Sequence, residues 1–229
     1  MTVGEEIKSS CNNNCNISNL GGIVMGVYVA MAIIAYFIGS ISFGVILTKK
    51  FAGFDVRDKG SKGAGMTNVL RTAGKRLALI TLVCDILKGV VAILIAMLLA
   101  WIFVDSVEVV TLNYIAGFFA ILGHTFPIFF RFKGGKGVAT AIGIMLLLNW
   151  QIGLICVVFG VTLMAITRMV SVGSILSAIL YPVLTLMLGE GLIAFLGSLM
   201  IGLLVVFNHR QNIQRLRNGT ENKLGQKVK

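Results

Sequence analysis

The strongest constraint on this chain is a series of apolar runs, most of them close to the length needed to cross a bilayer. A helix rises about 1.5 Å per residue, so roughly 20 apolar residues span a hydrocarbon core of about 30 Å. Such runs lie at about Gly22 to Leu47, Leu77 to Val104, Leu112 to Phe130, Val138 to Trp150, Ile152 to Thr167, Val172 to Leu188 and Leu192 to Phe207. The fourth is short, and the polar residues Asn149 and Gln151 mark where it turns. In lipid every backbone group must be bonded within the protein. The predicted fold is therefore all-α: a polytopic membrane protein built as a seven-transmembrane-helix bundle. A hydrophobic content of 57%, against about 45–50% in soluble domains, excludes a soluble alternative.

Cations tend to gather in cytoplasmic loops, so their distribution sets the orientation of the bundle. Residues 49–76 carry eight Lys or Arg, residues 131–136 carry three, Arg168 adds one and the segment from Asn208 adds six, together 18 of 20. Lys8 and Lys88 are the exceptions, while Glu5, Glu6, Asp105, Glu108 and Glu190 fall on the other side. Seven crossings then leave the N-terminus outside and the C-terminus in the cytoplasm. The expected organisation is a polar extracytoplasmic tail over 1–21, a seven-helix domain over 22–221 and a basic cytoplasmic tail over 222–229. A net charge of +11 concentrated on one membrane face fits anionic headgroups or an anionic substrate, and not nucleic acid. Cys11 and Cys15 are either bridged on an oxidising face or reduced, Cys84 and Cys156 sit in apolar runs, and no Cys and His spacing suggests a metal.

Two loops on the cationic side are dense in chemistry. Gly123 to Thr140 reads GHTFPIFFRFKGGKGVAT, in which Gly134, Gly135 and Gly137 let the backbone approach a ligand closely and Lys133 and Lys136 flank the bend. A helix beginning at Val138 would present its positive end there, which favours phosphate. The plainer alternative is a flexible loop whose lysines only set orientation. The second loop, Asp55 to Arg76, supplies Ser61, Lys62, Thr67, Asn68 and the forked guanidinium of Arg71. Beyond the last run, His209 and Asn212 lie one turn apart at the membrane surface. Asp85 and Lys88 share one face of the second run and are expected to pair inside the bundle. Ser40 and Ser42 lie at the end of the first run among small residues, and packing is favoured there over ligand contact.

Read in order, GSISFG at 39–44, GSKGAGMTNVLR at 60–71, GHTFPIFFRFKGGKGVAT and HRQNIQRLRNGTE at 209–221 resemble the bacterial acyl-phosphate-dependent glycerol-3-phosphate acyltransferases. The resemblance runs from about residue 30 to 221. In the second motif Lys62, Gly63 and Met66 stand where the family usually has Gly, Asn and Ala. The resemblance implies a plasma-membrane enzyme with a cytoplasm-facing site. It would move a fatty acyl group from a long-chain acyl phosphate to the 1-hydroxyl of glycerol 3-phosphate, giving lysophosphatidate and phosphate, the first acylation of phospholipid synthesis. It implies no cofactor, no metal, and no direct use of acyl carrier protein or coenzyme A. An anion or phosphate-ester transporter and an inactive lipid-binding homologue are the alternatives.

Neither histidine has an aspartate five positions on, and no G-x-S-x-G elbow occurs. An acyl phosphate already carries a good leaving group, so alignment and charge stabilisation suffice in principle. The expected catalytic set is His209, Asn212, Ser61 and Lys136. Arg71, Lys133, Gly134, Gly135, Gly137, Thr67 and Asn68 are expected to bind phosphate, and His124, Ser40 and Lys62 stand as secondary candidates.

Overall fold

The apolar runs fold as helices, the first of them in two pieces, and glycine, serine or asparagine stands at several of the breaks. The computed structural model describes residues 3–103 and 107–226, with side chains described from residue 21 onward. Glu5, Glu6, Lys8, Cys11, Cys15, Asp105, Lys227 and Lys229 thus lie outside the residues whose side chains are described. The elements are α1 (Val3–Gly39), α2 (Phe43–Ala52), α3 (Met66–Ala73), α4 (Lys75–Ile102), α5 (Val109–Thr125), α6 (Val138–Leu148), α7 (Trp150–Thr167), α8 (Val170–Met187), α9 (Leu192–Asn208) and α10 (Arg210–Arg217). This is an all-helical membrane protein.

One expectation is revised. The first run is interrupted: α1 ends at Gly39, and α2 starts afresh after Ser40-Ile41-Ser42. Serine hydroxyls compete with the helix ladder, and the freed Ile41 carbonyl accepts from Lys88 Nζ instead, at 2.9 Å. The helix α1 runs back to Val3. Five segments are long and apolar enough to cross a membrane, or six if the bent pair α9 and α10 counts as one. The helix α6 falls short of that length: its 11 residues rise only about 16 Å.

The partition of side chains is that of a lipid-embedded bundle. Along α4 the large residues Leu79, Val83, Leu87, Val91, Leu94 and Leu98 are exposed, a stripe at helical spacing facing lipid. Its opposite face buries Ala78, Thr81, Asp85, Lys88, Gly89, Ala92 and Ala96. Small residues let helices approach closely without a hydrophobic drive between them. At the contact of α4 with α6, a Cβ on Gly89 would strike the Thr140 carbonyl and one on Gly143 the Ile86 carbonyl. Further contacts join α1 to α5, α7 to α8 and α8 to α9. Between α6, α7, α8 and α9 runs an apolar groove of about 70 Å³ lined by Val138, Met145, Cys156, Tyr181, Ile201 and Val205 among others.

Candidate active site

The loop from Asp55 to Gly65 is shaped by two side chains. Asp55 accepts from the backbone N–H of Arg57 at 3.0 Å and pairs with the Arg57 guanidinium at 2.7 Å and Lys49 at 3.2 Å. The Arg57 hydrogen bond holds its carboxyl well below the usual carboxylate range, with Lys49 adding to the effect. Arg57 then reaches across to the carbonyls of Phe130 at 2.6 Å and Lys133 at 3.3 Å. Asn68, buried in the first turns of α3, donates to the carbonyls of Val56, Lys59 and Gly63 at 2.9 to 3.0 Å and accepts from Ser61 N–H at 2.9 Å. Its amide is fully occupied. Asn68 therefore holds the loop together in place of the phosphate contact expected for it.

The central loop folds back onto the end of α5. Gly134 N–H donates to the Thr125 carbonyl and Gly135 N–H to the His124 carbonyl, both at 3.1 Å, while Gly134 O accepts from Ala64 N–H at 3.2 Å. These two glycine N–H groups satisfy helix-terminal carbonyls, so they are not the open phosphate cradle expected from sequence. Glycine is needed for another reason. A Cβ at Gly134 would strike the His124 carbonyl, and one at Gly135 the His124 imidazole. Gly137 takes φ of +85° and passes the chain into α6.

Lys136, on the rim of this fold, meets the C-terminal segment. Its Nζ donates to Asn212 Oδ1, and its carbonyl accepts from Asn208 Nδ2 at 3.3 Å. Asn212 Nδ2 in turn donates to Glu221 Oε1 at 2.6 Å, Ser171 Oγ donates to the same oxygen at 2.9 Å, and Arg215 Nε donates to Glu221 Oε2 at 2.8 Å. Burial pushes the Glu221 carboxyl up, but the bonds from Asn212, Arg215 and Ser171 outweigh it and hold the group below its ordinary value. Burial lowers Lys136 to about 8, with Glu221 opposing and Arg215 and Arg71 adding to the fall. Burial likewise lowers Arg71, again opposed by Glu221. One carboxylate thus acts on both cations, which places Arg71 and Lys136 in one electrostatic neighbourhood.

His209 sits at the bend of 58° between α9 and α10, almost fully buried, with Nδ1 2.8 Å from the Val205 carbonyl. A carbonyl only accepts, so Nδ1 carries the proton and Nε2 of the neutral ring is left with a lone pair. The remaining candidates are distributed around this centre. Thr67 is half-buried at the start of α3; Ser61, Lys62 and Lys133 are exposed, and Lys62 holds a φ of +57°. Ser40 is buried at the α1 break, and no described residue bonds its hydroxyl. His124 is buried beside Asp85 and Lys88.

Sequence reasoning missed Glu221, Ser171, Arg215, Asn208 and Arg57. Glu221 left a signal: it is the single acid among six cations from residue 208 onward. An isolated carboxylate there is a natural collector of donors. Ser171, Asn208 and Arg57 left none, because their partners lie 50 or more positions away, and Arg215 draws its role from Glu221 itself.

Comparison with known proteins follows this geometry. Residues 29–219 match the family model described as glycerol-3-phosphate acyltransferase. A glycerol-3-phosphate acyltransferase of Clostridioides difficile (strain 630) is 42% identical over 202 residues, covering 87% of this chain and 97% of its own. One of Bartonella henselae is 42% identical over 193 residues, covering 84% and 90%. Among solved structures, PlsY (YgiH), an integral membrane glycerol 3-phosphate acyltransferase in its glycerol 3-phosphate form, superposes with a TM-score of 0.78 at 34% identity, covering 86% of this chain and 96% of that one. Its lysophosphatidic acid form gives a TM-score of 0.76 at 32% identity.

Proposed function

The chain belongs to the glycerol-3-phosphate acyltransferase family, and from that premise we propose that its cationic pocket transfers a fatty acyl group from acyl phosphate to the 1-hydroxyl of glycerol 3-phosphate. The hydroxyl oxygen attacks the acyl carbonyl carbon, and the carbon to phosphate-oxygen bond breaks. The electron pair and the hydroxyl proton leave with phosphate, and lysophosphatidate remains. Glu221, the carboxylate bonded within the pocket, is already engaged by three donors. The departing phosphate is therefore the proton acceptor.

The observation that carries this reading is the bonded chain in which Lys136 donates to Asn212 and Asn212 donates to Glu221, which also accepts from Arg215. Lys136 and Arg71 hold phosphoryl oxygens, together with Lys133, Ser61 and Thr67. His209, proton on Nδ1, offers Nε2 to orient the acceptor hydroxyl. The apolar groove begins at Val138 and Val205, and Val205 is also the residue whose carbonyl anchors His209. An acyl chain lying in that groove brings its carbonyl to the pocket.

Seven crossings, with the pocket on the cytoplasmic side and the C-terminus inside, complete the proposal. Support comes from α6: it starts from a loop folded back onto the bundle, and Asn149 at its far end donates to Glu190, in the turn between α8 and α9, at 2.7 Å. A short helix that starts deep still reaches the opposite face. The plasma membrane of a bacterium is the expected location.

The test uses purified full-length protein in lipid nanodiscs with palmitoyl phosphate and labelled glycerol 3-phosphate. Labelled lysophosphatidate is expected, with no product when palmitoyl coenzyme A or a palmitoylated carrier protein replaces the donor. Equal rates with a thioester would overturn the donor assignment, and uptake into sealed vesicles without a new ester would replace the enzyme reading with transport.

A further inference from the structure

Outside the pocket, the bundle buries a second polar cluster that the transfer reaction does not use. Asp85 and Lys88 lie one turn apart on α4, His124 faces them from α5, and the three are 1%, 4% and 5% exposed. Lys88 Nζ lies 2.9 Å from Asp85 Oδ1, 2.7 Å from His124 Nδ1 and 2.9 Å from the Ile41 carbonyl. A buried charge set of this kind is costly and persists where its geometry is used.

The chemistry of the partners fixes the ring. Asp85 Oδ1 lies 3.6 Å from His124 Nδ1, beyond hydrogen-bond reach, and Lys88 Nζ is the nearer at 2.7 Å. An ammonium only donates, so His124 Nδ1 accepts, and the neutral imidazole carries its proton on Nε2. That far edge of the ring abuts Gly135, where a Cβ would collide with Nε2, Cε1 and Cδ2, and the His124 carbonyl accepts from Gly135 N–H. Gly135 immediately precedes Lys136. A continuous line of contacts therefore runs from the ion pair, through one imidazole, to the lysine of the pocket.

We propose that the Asp85–Lys88 pair locks His124 in its Nε2-protonated orientation, and that the locked ring is a positioning residue that seats Gly135 and so sets Lys136 for catalysis. This rests on the acyltransferase reading for its kinetic arm, but not for its spectroscopic one. The chain has two histidines, and their partners demand opposite tautomers: proton on Nε2 for His124, on Nδ1 for His209.

The experiment is nitrogen NMR of ¹⁵N-histidine-labelled protein in bilayers, alongside kinetics of the double variant Asp85→Leu with Lys88→Leu. Buried ion pairs replaced by apolar residues of similar size commonly leave stability intact, so this variant separates folding from positioning. Expected are one Nε2–H and one Nδ1–H histidine in the native protein. In the double variant the melting temperature stays within a few degrees, His124 loses its single tautomer, His209 does not, and kcat falls by roughly 100-fold, the scale of an ångström-sized misplacement. Gly135→Ala reaches the same contact from the loop side, with the same kinetic loss and a perturbed His124 signal, and decides the matter if the double variant does not insert. Two Nδ1–H histidines in the native protein, native kcat in the double variant, or native kcat in Gly135→Ala would each overturn the proposal. An inactive native protein with the expected tautomers would instead strike the acyltransferase reading alone.

Discussion

Two polar clusters lie in this bundle, and they are built from similar residue types to different ends. Asp85, Lys88 and His124 are sealed between α4 and α5, with Lys88 reaching both of the others and the Ile41 carbonyl. Lys136, Asn212, Glu221 and Arg215 instead grade from a buried carboxylate to half-buried cations at the membrane surface. In the sealed cluster the charges cancel one another; in the open one a single acid organises more positive charge than it neutralises. On the proposed function, that surplus is what an anionic substrate meets, and charge balance, more than residue type, separates the two clusters.

The largest effect expected from breaking the open cluster is at its acid. Glu221→Ala leaves the donors of Ser171, Asn212 and Arg215 without their acceptor, each hydrogen bond to a charged group being worth about 1.5–3 kcal/mol. Acyl transfer should fall at least 100-fold and the melting temperature should drop, as read by radiolabel assay and thermal unfolding. Glu221→Gln, keeping one acceptor, should recover part of the stability and little of the rate.

Next is the pH profile of Lys136. Its folded value of about 8 against 10.5 means that the folded chain gives up this proton first. Phosphate binding through Lys136 should weaken as pH rises through about 8, seen as a rising KM for glycerol 3-phosphate. Stability from this group should move oppositely and increase between 8 and 10.5, because the unfolded state binds more protons there. Lys136→Arg should remove the alkaline limb.

The staple between the two loops is a smaller lever. Arg57→Ala removes the bonds to Phe130 and Lys133 while Ala64 to Gly134 remains, so KM should rise about tenfold with kcat within threefold. The smallest effect lies at Lys62. Its φ of +57° costs an L-residue about 1 kcal/mol that glycine avoids, so Lys62→Gly should raise stability by about that amount and leave turnover within twofold.

The helices of the bundle were legible from the chain, because apolar length is a local property. The exceptions were set by contacts. The break at Ser40 to Ser42 depends on Lys88 reaching a carbonyl 47 positions away, and the shortness of α6 follows from a loop that folds inward. At the site, residue types named Lys136, Asn212 and His209, and the structure brings Lys136 and Asn212 into contact. It could not name Asn68 as a loop organiser, because its four bonds are to backbone. Nor could it foresee that Gly134 and Gly135 spend their N–H groups on α5.

Glu221 follows every membrane-spanning helix in the chain. During synthesis the helices are therefore threaded into the bilayer while the cationic pocket still lacks the acid that orders it. Only when that segment emerges and folds back beneath α8 do Ser171, Asn212 and Arg215 find their common acceptor. On the proposed function, a partly inserted chain is expected to lack transfer activity until the segment carrying Glu221 has emerged.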